Sequence, residues 1–484
     1  MSKIKSKRQL RLQLTLIYSM MVLAVVAIVS VLVLVLQGYR FNRYDGKLEQ
    51  GGLVQFNSQP TGAGVTVDNT LLTNKTASKI VLTAGAHHIE MARDGYSTWA
   101  KDVTVKPGNV LWLNYALLYP TNPTVKTVAT YPGVASAMAA PKNNKVALIP
   151  DATLADVTIT SLTGDAPVSS TIHIPDATYT APADGAKQRF NIVEWDKDGN
   201  VLLIKHTTGD VHEYLTVDIR NPDRTVNVST TLGLAIDSIA FAKNDSNKVY
   251  MLLASHELRR ATLSSPTISG PLATNVSSFT VTEPNVVVYQ TRPDTNKQRL
   301  VGYVSSDSTT AKVLSSYTGI GNGALMATTG TYYGDHYVAI VHGDTMDILK
   351  GNLPSSDSDA VLALQHVAAV PARGGAQYIG FSPDDDRMIY VAKDTNITVY
   401  DLELDTTNTT TLSAPLTRDV NWLDGYHIAA SGAGGYYYDF DGTNGQRFAS
   451  DSIDQPAVLG STKYLYYFAK SDTQVVLKRI SLTR

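Results

Sequence analysis

Phe381-Ser382-Pro383-Asp384-Asp385-Asp386-Arg387-Met388-Ile389-Tyr390 sets out a pattern of three parts. An apolar residue comes first, then a polar turn rich in Asp, Asn or Gly, then an apolar strand. Trp195-Asp196-Lys197-Asp198-Gly199-Asn200-Val201-Leu202-Leu203 repeats it. So do Trp422-Leu423-Asp424-Gly425-Tyr426-His427-Ile428 and Phe241-Ala242-Lys243-Asn244-Asp245-Ser246-Asn247-Lys248-Val249-Tyr250. Weaker copies begin near Ala139, Phe279, Tyr333 and Leu459. A second strand follows and often ends in aspartate, as in Val399-Tyr400-Asp401 and Tyr437-Tyr438-Asp439.

The copies recur about every 46 residues, and a period in the forties made of strands alone is the mark of a propeller blade. A four-stranded blade cannot bury both faces by itself, and ring closure gives every blade a neighbour. Eight units are counted, with seven as the alternative, because the first and last are degenerate. Thr124–Tyr131 reads as a strand that joins the last blade and closes the ring. Pro120-Thr121-Asn122-Pro123 marks the start of this region, so the propeller is placed at 120–484. The copy at Phe381-Ser382-Pro383-Asp384 resembles the WD40-like or TolB-type repeat, with Asp385 in place of the usual glycine. That resemblance implies architecture and carries no function.

Upstream, residues 52–119 alternate apolar and polar side chains in short runs, among them Val65–Asp68, His88–Met91 and Val103–Lys106. Turn signals such as Asp68-Asn69, Asp94-Gly95 and Pro107-Gly108 separate them, which predicts a small antiparallel sandwich. Ser58-Gln59-Pro60-Thr61-Gly62-Ala63-Gly64-Val65 resembles the opening of a PEGA domain, with Thr61 where that family has Glu. Gly85 and His87, then Gly95, Tyr96 and Trp99, fall where the family's later motifs place such residues. The family is a non-catalytic extracytoplasmic module, and the resemblance implies that role here. His87-His88 suggests a metal site, but strand neighbours point to opposite faces, so one packed and one exposed histidine is the expectation.

From Leu14 to Leu36 there are 23 residues without a charge. As a helix they span about 35 Å, enough to cross a hydrocarbon core of ~30 Å. The run is longer than a signal-peptide core and no A-x-A-like site follows it, so a retained signal-anchor through 14–36 is expected. Five Lys or Arg precede the span, against Arg40, Arg43 and Lys47 after it. The positive-inside rule then puts a tail of residues 1–13 in the cytoplasm and the bulk outside. Residues 37–51 read as a polar linker.

The chain has 484 residues and no cysteine, which removes disulfides, thiolate metal sites and a cysteine nucleophile. Residues 1–43 carry seven Lys or Arg and no acid, leaving 34 basic against 43 acidic residues, a net of −9. An acidic outer portion argues against nucleic-acid binding.

The sequence contains no H-E-x-x-H, no G-x-S-x-G and no Walker loop. Gly319–Gly323 and Ser431–Gly435 lack the strand–helix context of a phosphate loop. Asp439–Asn444 spaces its acids as a calcium loop does but has no downstream acid at the required position, so a strand turn is the simpler reading. Asp384-Asp385-Asp386 reads as a solvated turn. No catalytic, cofactor or metal residue is assigned. The expected protein is mostly β: a transmembrane helix, a PEGA-like sandwich and a propeller. Its expected role is a binding or scaffold protein of the bacterial cell envelope, with the lipid bilayer and an unidentified envelope protein, peptide or glycan as partners. The alternatives are a propeller-based glycan lyase or hydrolase, and a sensor acting through a membrane partner.

Overall fold

The computed structural model describes residues 7–36, 39–41, 48–183, 186–282, 286–320, 325–412, 415–416, 418–431, 434–461 and 463–483. Residues 1–6 of the tail, 37–38 and 42–47 of the linker, Gly321–Gly323, and Ala433 with Gly432 lie outside the described residues. The chain divides into two units, Met1–Pro123 with Leu482–Arg484, and Thr124–Ser481.

The one long helix runs Lys7–Leu36 and is free of Gly and Pro. It starts seven residues before the apolar run, because Lys, Arg, Gln and Leu are good helix formers. The second half of the supposed tail is therefore helical. Its segment Leu14–Val35 has mean hydropathy 2.8 and none of it is buried, so the helix is long and apolar enough to cross a membrane.

Two four-stranded sheets follow. One joins Tyr39–Phe41, Leu48–Gln59, Ser78–Thr83 and Val110–Leu117; the other joins Gly64–Val67, Thr70–Leu71, Gly85–Ala92 and Trp99–Val105. Val54, Phe56, Leu111 and Leu113 from the first and Val65, Ile89, Met91 and Trp99 from the second are buried, as alternation predicts. The hairpin at Asp68-Asn69 has two residues between paired Val67 and Thr70, with φ of 47° and 66°, the left-handed pair of a type I′ turn.

The expected linker needs correction. Leu48–Gly51 is already strand, paired with Tyr39–Phe41 and then with Ser78–Thr83. Gly51, the last residue of that expected linker, and its neighbour Gly52 serve close packing. A Cβ on Gly51 would lie 2.3 Å from the Leu82 carbonyl oxygen, and one on Gly52 2.5 Å from that of Lys106. Glycine inside a strand often marks such an approach.

The second unit is a propeller: eight four-stranded sheets among the described residues. Seven are meanders in chain order. The eighth joins Val458–Gly460, Tyr464–Ser471 and Gln474–Ser481 to Thr124–Tyr131, the strand expected to close the ring. Each second strand is a run buried on both faces, as in Lys145–Ile149, Val286–Thr291 and Met388–Lys393. Two of the fourth strands, Val168–His173 and Thr406–Thr411, are Ser/Thr-rich and largely exposed. Apolar clusters form between successive sheets from the first to the sixth. One more cluster sets Tyr131, Phe468 and Leu477 of the eighth sheet on Ala137, Val146 and Leu148 of the first. Neither face of a blade thus meets water over most of its area, which is how short strands are held without a single central core.

The repeat anchors fall on first strands: Trp195, Phe241, Phe381 and Trp422, with Ala139, Phe279 and Leu459 from the weaker copies. Tyr333 is the exception. It sits in the turn beyond Leu325–Tyr332 and is 84% exposed, while Tyr332 is buried.

Candidate functional site: a groove at the seam of the ring

Thr124–Tyr131 arrives from the far end of the sequence to complete the eighth sheet, so the seam between eighth and first sheets is built from both ends of the repeat region. A groove of about 970 Å³ opens there. Val128–Pro132 forms one wall, the Pro150–Leu154 segment the rim, and the two outer strands of the first sheet the other wall. Of those strands, Asp156–Ser161 alternates apolar residues with hydroxyls, and Val168–His173 carries the hydroxyl run Ser169-Ser170-Thr171.

The register places the polar residues in pairs: Asp156 opposite His173, Thr158 opposite Thr171 and Thr160 opposite Ser169. The hydroxyls bond across, Thr158 to Thr171 at 2.9 Å and Thr160 to Ser169 at 2.9 Å. Tyr131 Oη lies 2.6 Å from Thr160 Oγ1, tying the two sheets together. Burial pushes the Tyr131 phenol pKa up against the opposing effect of these hydroxyls. Asp156 Oδ1 lies 2.8 Å from His173 Nδ1, and Asp156 is the main reason the His173 pKa is raised. At the rim, the Thr153 N–H and hydroxyl donate to Asp151 and hold its carboxyl below the usual range. Leu154, 52% exposed, with Val134 and Pro167 supplies apolar surface. The groove offers a row of hydroxyls, two carboxylates and an apolar rim.

The strongly coupled charged groups are buried elsewhere in the sheets. Arg387 forks onto Asp401 (Nε–Oδ1 3.0 Å, Nη2–Oδ2 2.7 Å) and reaches Glu403 at 2.7 Å. Tyr332 Oη donates to Glu403 from the fifth sheet, and the Tyr426 ring of the seventh lies 5.8 Å from the guanidinium. Burial opposes the Arg387 charge, but Asp401 and Glu403 outweigh it and raise the pKa. His206 Nδ1 lies 2.9 Å from Glu213 Oε1, stacked on Phe190. Burial would raise the Glu213 pKa, but the Thr180 N–H, the Asn227 amide and His206 together lower it. A smaller groove of about 460 Å³ runs past Tyr179 and Asn227 beside this pair. His427 Nδ1 lies 2.8 Å from Asp424, with Asp439 at 3.6 Å from Nε2. Among the described residues no group of His, Asp or Glu is placed to hold a metal ion.

The residues singled out from sequence are not brought together. Trp195 donates Nε1–H to the Met138 carbonyl of the first sheet, and Phe241 donates its N–H to Glu194 of the second. Phe381 lies against Gly330 of the fifth sheet, where a Cβ would come within 2.6 Å of its ring. Trp422 meets Tyr390 of the sixth at 5.7 Å. Each anchor thus packs on the preceding sheet. Pro383 and Asp384 form the following turn. Asp384 has φ of 79°, and burial and then Asp424 raise its pKa. The Asp439–Asn444 segment is a turn closed on itself: Gly442 N–H donates to the Asp439 carbonyl, Asp439 N–H to that of Thr443, and the Asn444 amide to the Asp439 carboxylate.

In the sandwich, Gly62 and Ala63 donate N–H to the Thr76 carbonyl and hydroxyl, and Thr76 also meets Ser58 Oγ at 2.6 Å. The carbonyl of Pro60 accepts from Ser58 Oγ at 2.8 Å. Arg93 reaches over Tyr96 to the Thr61 carbonyl, Gly95 turns at φ 82°, and Trp99 meets Tyr115 edge-on at 5.8 Å. Gly85 opens its strand at φ 135°. His87 is 10% exposed, bonded to Asp68 at 2.6 Å and Thr83 O at 2.8 Å; His88 is 44% exposed beside Asp102. The groove residues Thr158, Thr171, Asp151 and Asp156 were missed from sequence. The hydroxyls of Asp156–Ser161 and Val168–His173 were the available signal.

The architecture defines a two-module β protein carrying an apolar helix. Residues 52–119 match the PEGA domain family. No curated protein sequence matches the chain. Among solved structures it is similar to the β-propeller domain of Cps50 (Swd1) from Myceliophteria thermophila, at 9% identity and TM-score 0.41 over 75% of this chain and all of that one. It is also similar to the WD40 propeller domain of Doa1 (13%, TM-score 0.36, 74% and 97%) and to the dihydro-heme d1 dehydrogenase NirN (11%, TM-score 0.43, 82% and 75%).

Proposed function

We propose that the protein is a membrane-anchored extracytoplasmic binding or scaffold protein of the bacterial cell envelope. The apolar helix tethers it, the PEGA sandwich stands next along the chain, and the propeller presents the binding surface. The observation that carries the reading is the seam groove. It has the volume of a ligand site, it is lined by hydroxyls and two carboxylates, and the buried charge networks lie apart from it and are spent on holding sheets together.

Its ligand chemistry is an envelope glycan or an extended peptide, both rich in groups that pair with hydroxyls and carboxylates. The test is titration of the detergent-solubilised chain with cell-wall glycan fragments and with peptides, followed by calorimetry. Binding that weakens at least tenfold in Thr158→Val and Asp156→Ala supports the groove. Unchanged binding in both variants places recognition elsewhere, and no binding to either ligand class removes the proposal.

A further inference from the structure

The first sheet of the sandwich buries one face against the second. Its other face carries two rows set by the strand register. Val81, Leu53 and Val110 form one row; Lys79, Gln55 and Trp112 form the next. Val110 is 39% exposed and Trp112 38%, and of the four tryptophans Trp112 is the most exposed. Trp99 and Trp195, by contrast, are buried in the two cores. A tryptophan displayed on a sheet beside valines, a glutamine and a lysine has an apolar body facing out and polar neighbours at its rim. That is the composition of a surface at a membrane–water boundary.

The chain itself indicates which surface this is. The apolar helix ends at Leu36 and the first strand of this same sheet begins at Tyr39. Three residue steps reach at most about 10 Å. The headgroup layer on one side of a bilayer is itself roughly 6 Å deep. With the helix spanning a bilayer, this sheet starts within or just above the headgroups, whereas the propeller is separated from the span by the whole sandwich sequence. We infer that the outer face of this sheet docks on the bilayer from which the helix emerges, with Trp112 in the headgroup layer and Lys79 facing lipid phosphate. The inference rests on the helix being a retained membrane span.

The test uses the full chain reconstituted in phosphatidylethanolamine–phosphatidylglycerol vesicles, with plain or brominated acyl chains. Flotation after an alkaline wash reports the span, and tryptophan quenching by bromine reports the docking. The expected result is flotation, with emission lower in brominated vesicles and that difference at least halved in Trp112→Phe. Lys79→Glu, a surface change that leaves the tryptophan in place, is expected to reduce the quenching as well. Flotation with no quenching, or equal quenching in wild type and Trp112→Phe, overturns the docking and leaves the anchor intact. Failure to float overturns the anchor and the docking together.

Discussion

Replacing Arg387 by methionine removes a buried cation whose network reaches three blades. The side chain is 4% exposed and its charge is met by Asp401, fully buried, and by Glu403. Without it Asp401 keeps the N–H groups of Glu403 and Leu404 at 2.9 and 3.3 Å, which do not neutralise a buried carboxylate. Breaking a buried pair by deleting one partner costs about 3–5 kcal/mol. Glu403 is 22% exposed and retains Tyr332, so Glu403→Gln is expected to cost under about 2 kcal/mol. Replacing both members, as in Arg387→Met with Asp401→Leu, leaves no orphaned charge and is expected to recover at least half of the single-variant loss. Urea unfolding of the solubilised chain, followed through Trp195 and Trp422, measures all three. A loss below about 1 kcal/mol for Arg387→Met, or strict additivity in the double variant, would refute the reasoning.

Deleting Thr124–Tyr131 opens the ring. It removes a strand paired along Gln474–Ser481 together with buried Tyr131, whose loss alone is expected to cost about 3–5 kcal/mol as Tyr131→Ala. An unchanged melting curve after the deletion contradicts closure by this strand. In the sandwich, burial lowers the His87 pKa, but Asp68 and the Thr83 carbonyl outweigh it and raise the value above 6.5; the His88 N–H and His87 lower that of Asp68 below 3.8. The His87 contribution is complete below its unfolded pKa and fades as pH rises through the raised folded value. The Asp68 contribution is complete above its unfolded pKa and fades as pH falls through the lowered one. The hairpin clip is therefore strongest between about pH 4 and 6.5. Proton NMR titration is expected to place His87 above 6.5 and to bring it down in Asp68→Asn; a His87 value indifferent to that change counts against the clip.

What was legible in the sequence was the part encoded by short-range pattern. The anchors Trp195, Phe241, Phe381 and Trp422 mark first strands because each is followed at once by its own turn and second strand. Thr124–Tyr131 was legible as a strand, and its place followed from the geometry of closing a ring. Leu48–Gly51 was not, since a polar stretch ending in Gly51 looks like a linker until the Leu82 carbonyl is seen against that glycine. Tyr333 was chosen over Tyr332 because the turn shifts by one residue and nothing in the local pattern says which tyrosine faces inward. The groove and the Arg387 network were illegible for a common reason. Tyr131 meets Thr160, and Tyr332 and Tyr426 converge on Arg387 and Glu403, through the arrangement of blades rather than through spacing along the chain.

The central claim is that the helix holds the protein in the membrane with the propeller outside, and the absence of cysteine makes it directly measurable. Tyr333→Cys puts a single thiol on an exposed propeller turn, and Ser2→Cys puts one in the N-terminal tail. Labelling of intact cells with a membrane-impermeant maleimide, before and after lysis, reads the topology. The account predicts that Cys at 333 is labelled in intact cells once any outer layer is permeabilised, and Cys at 2 only after lysis. The reverse pattern, or labelling of both only after lysis, contradicts it.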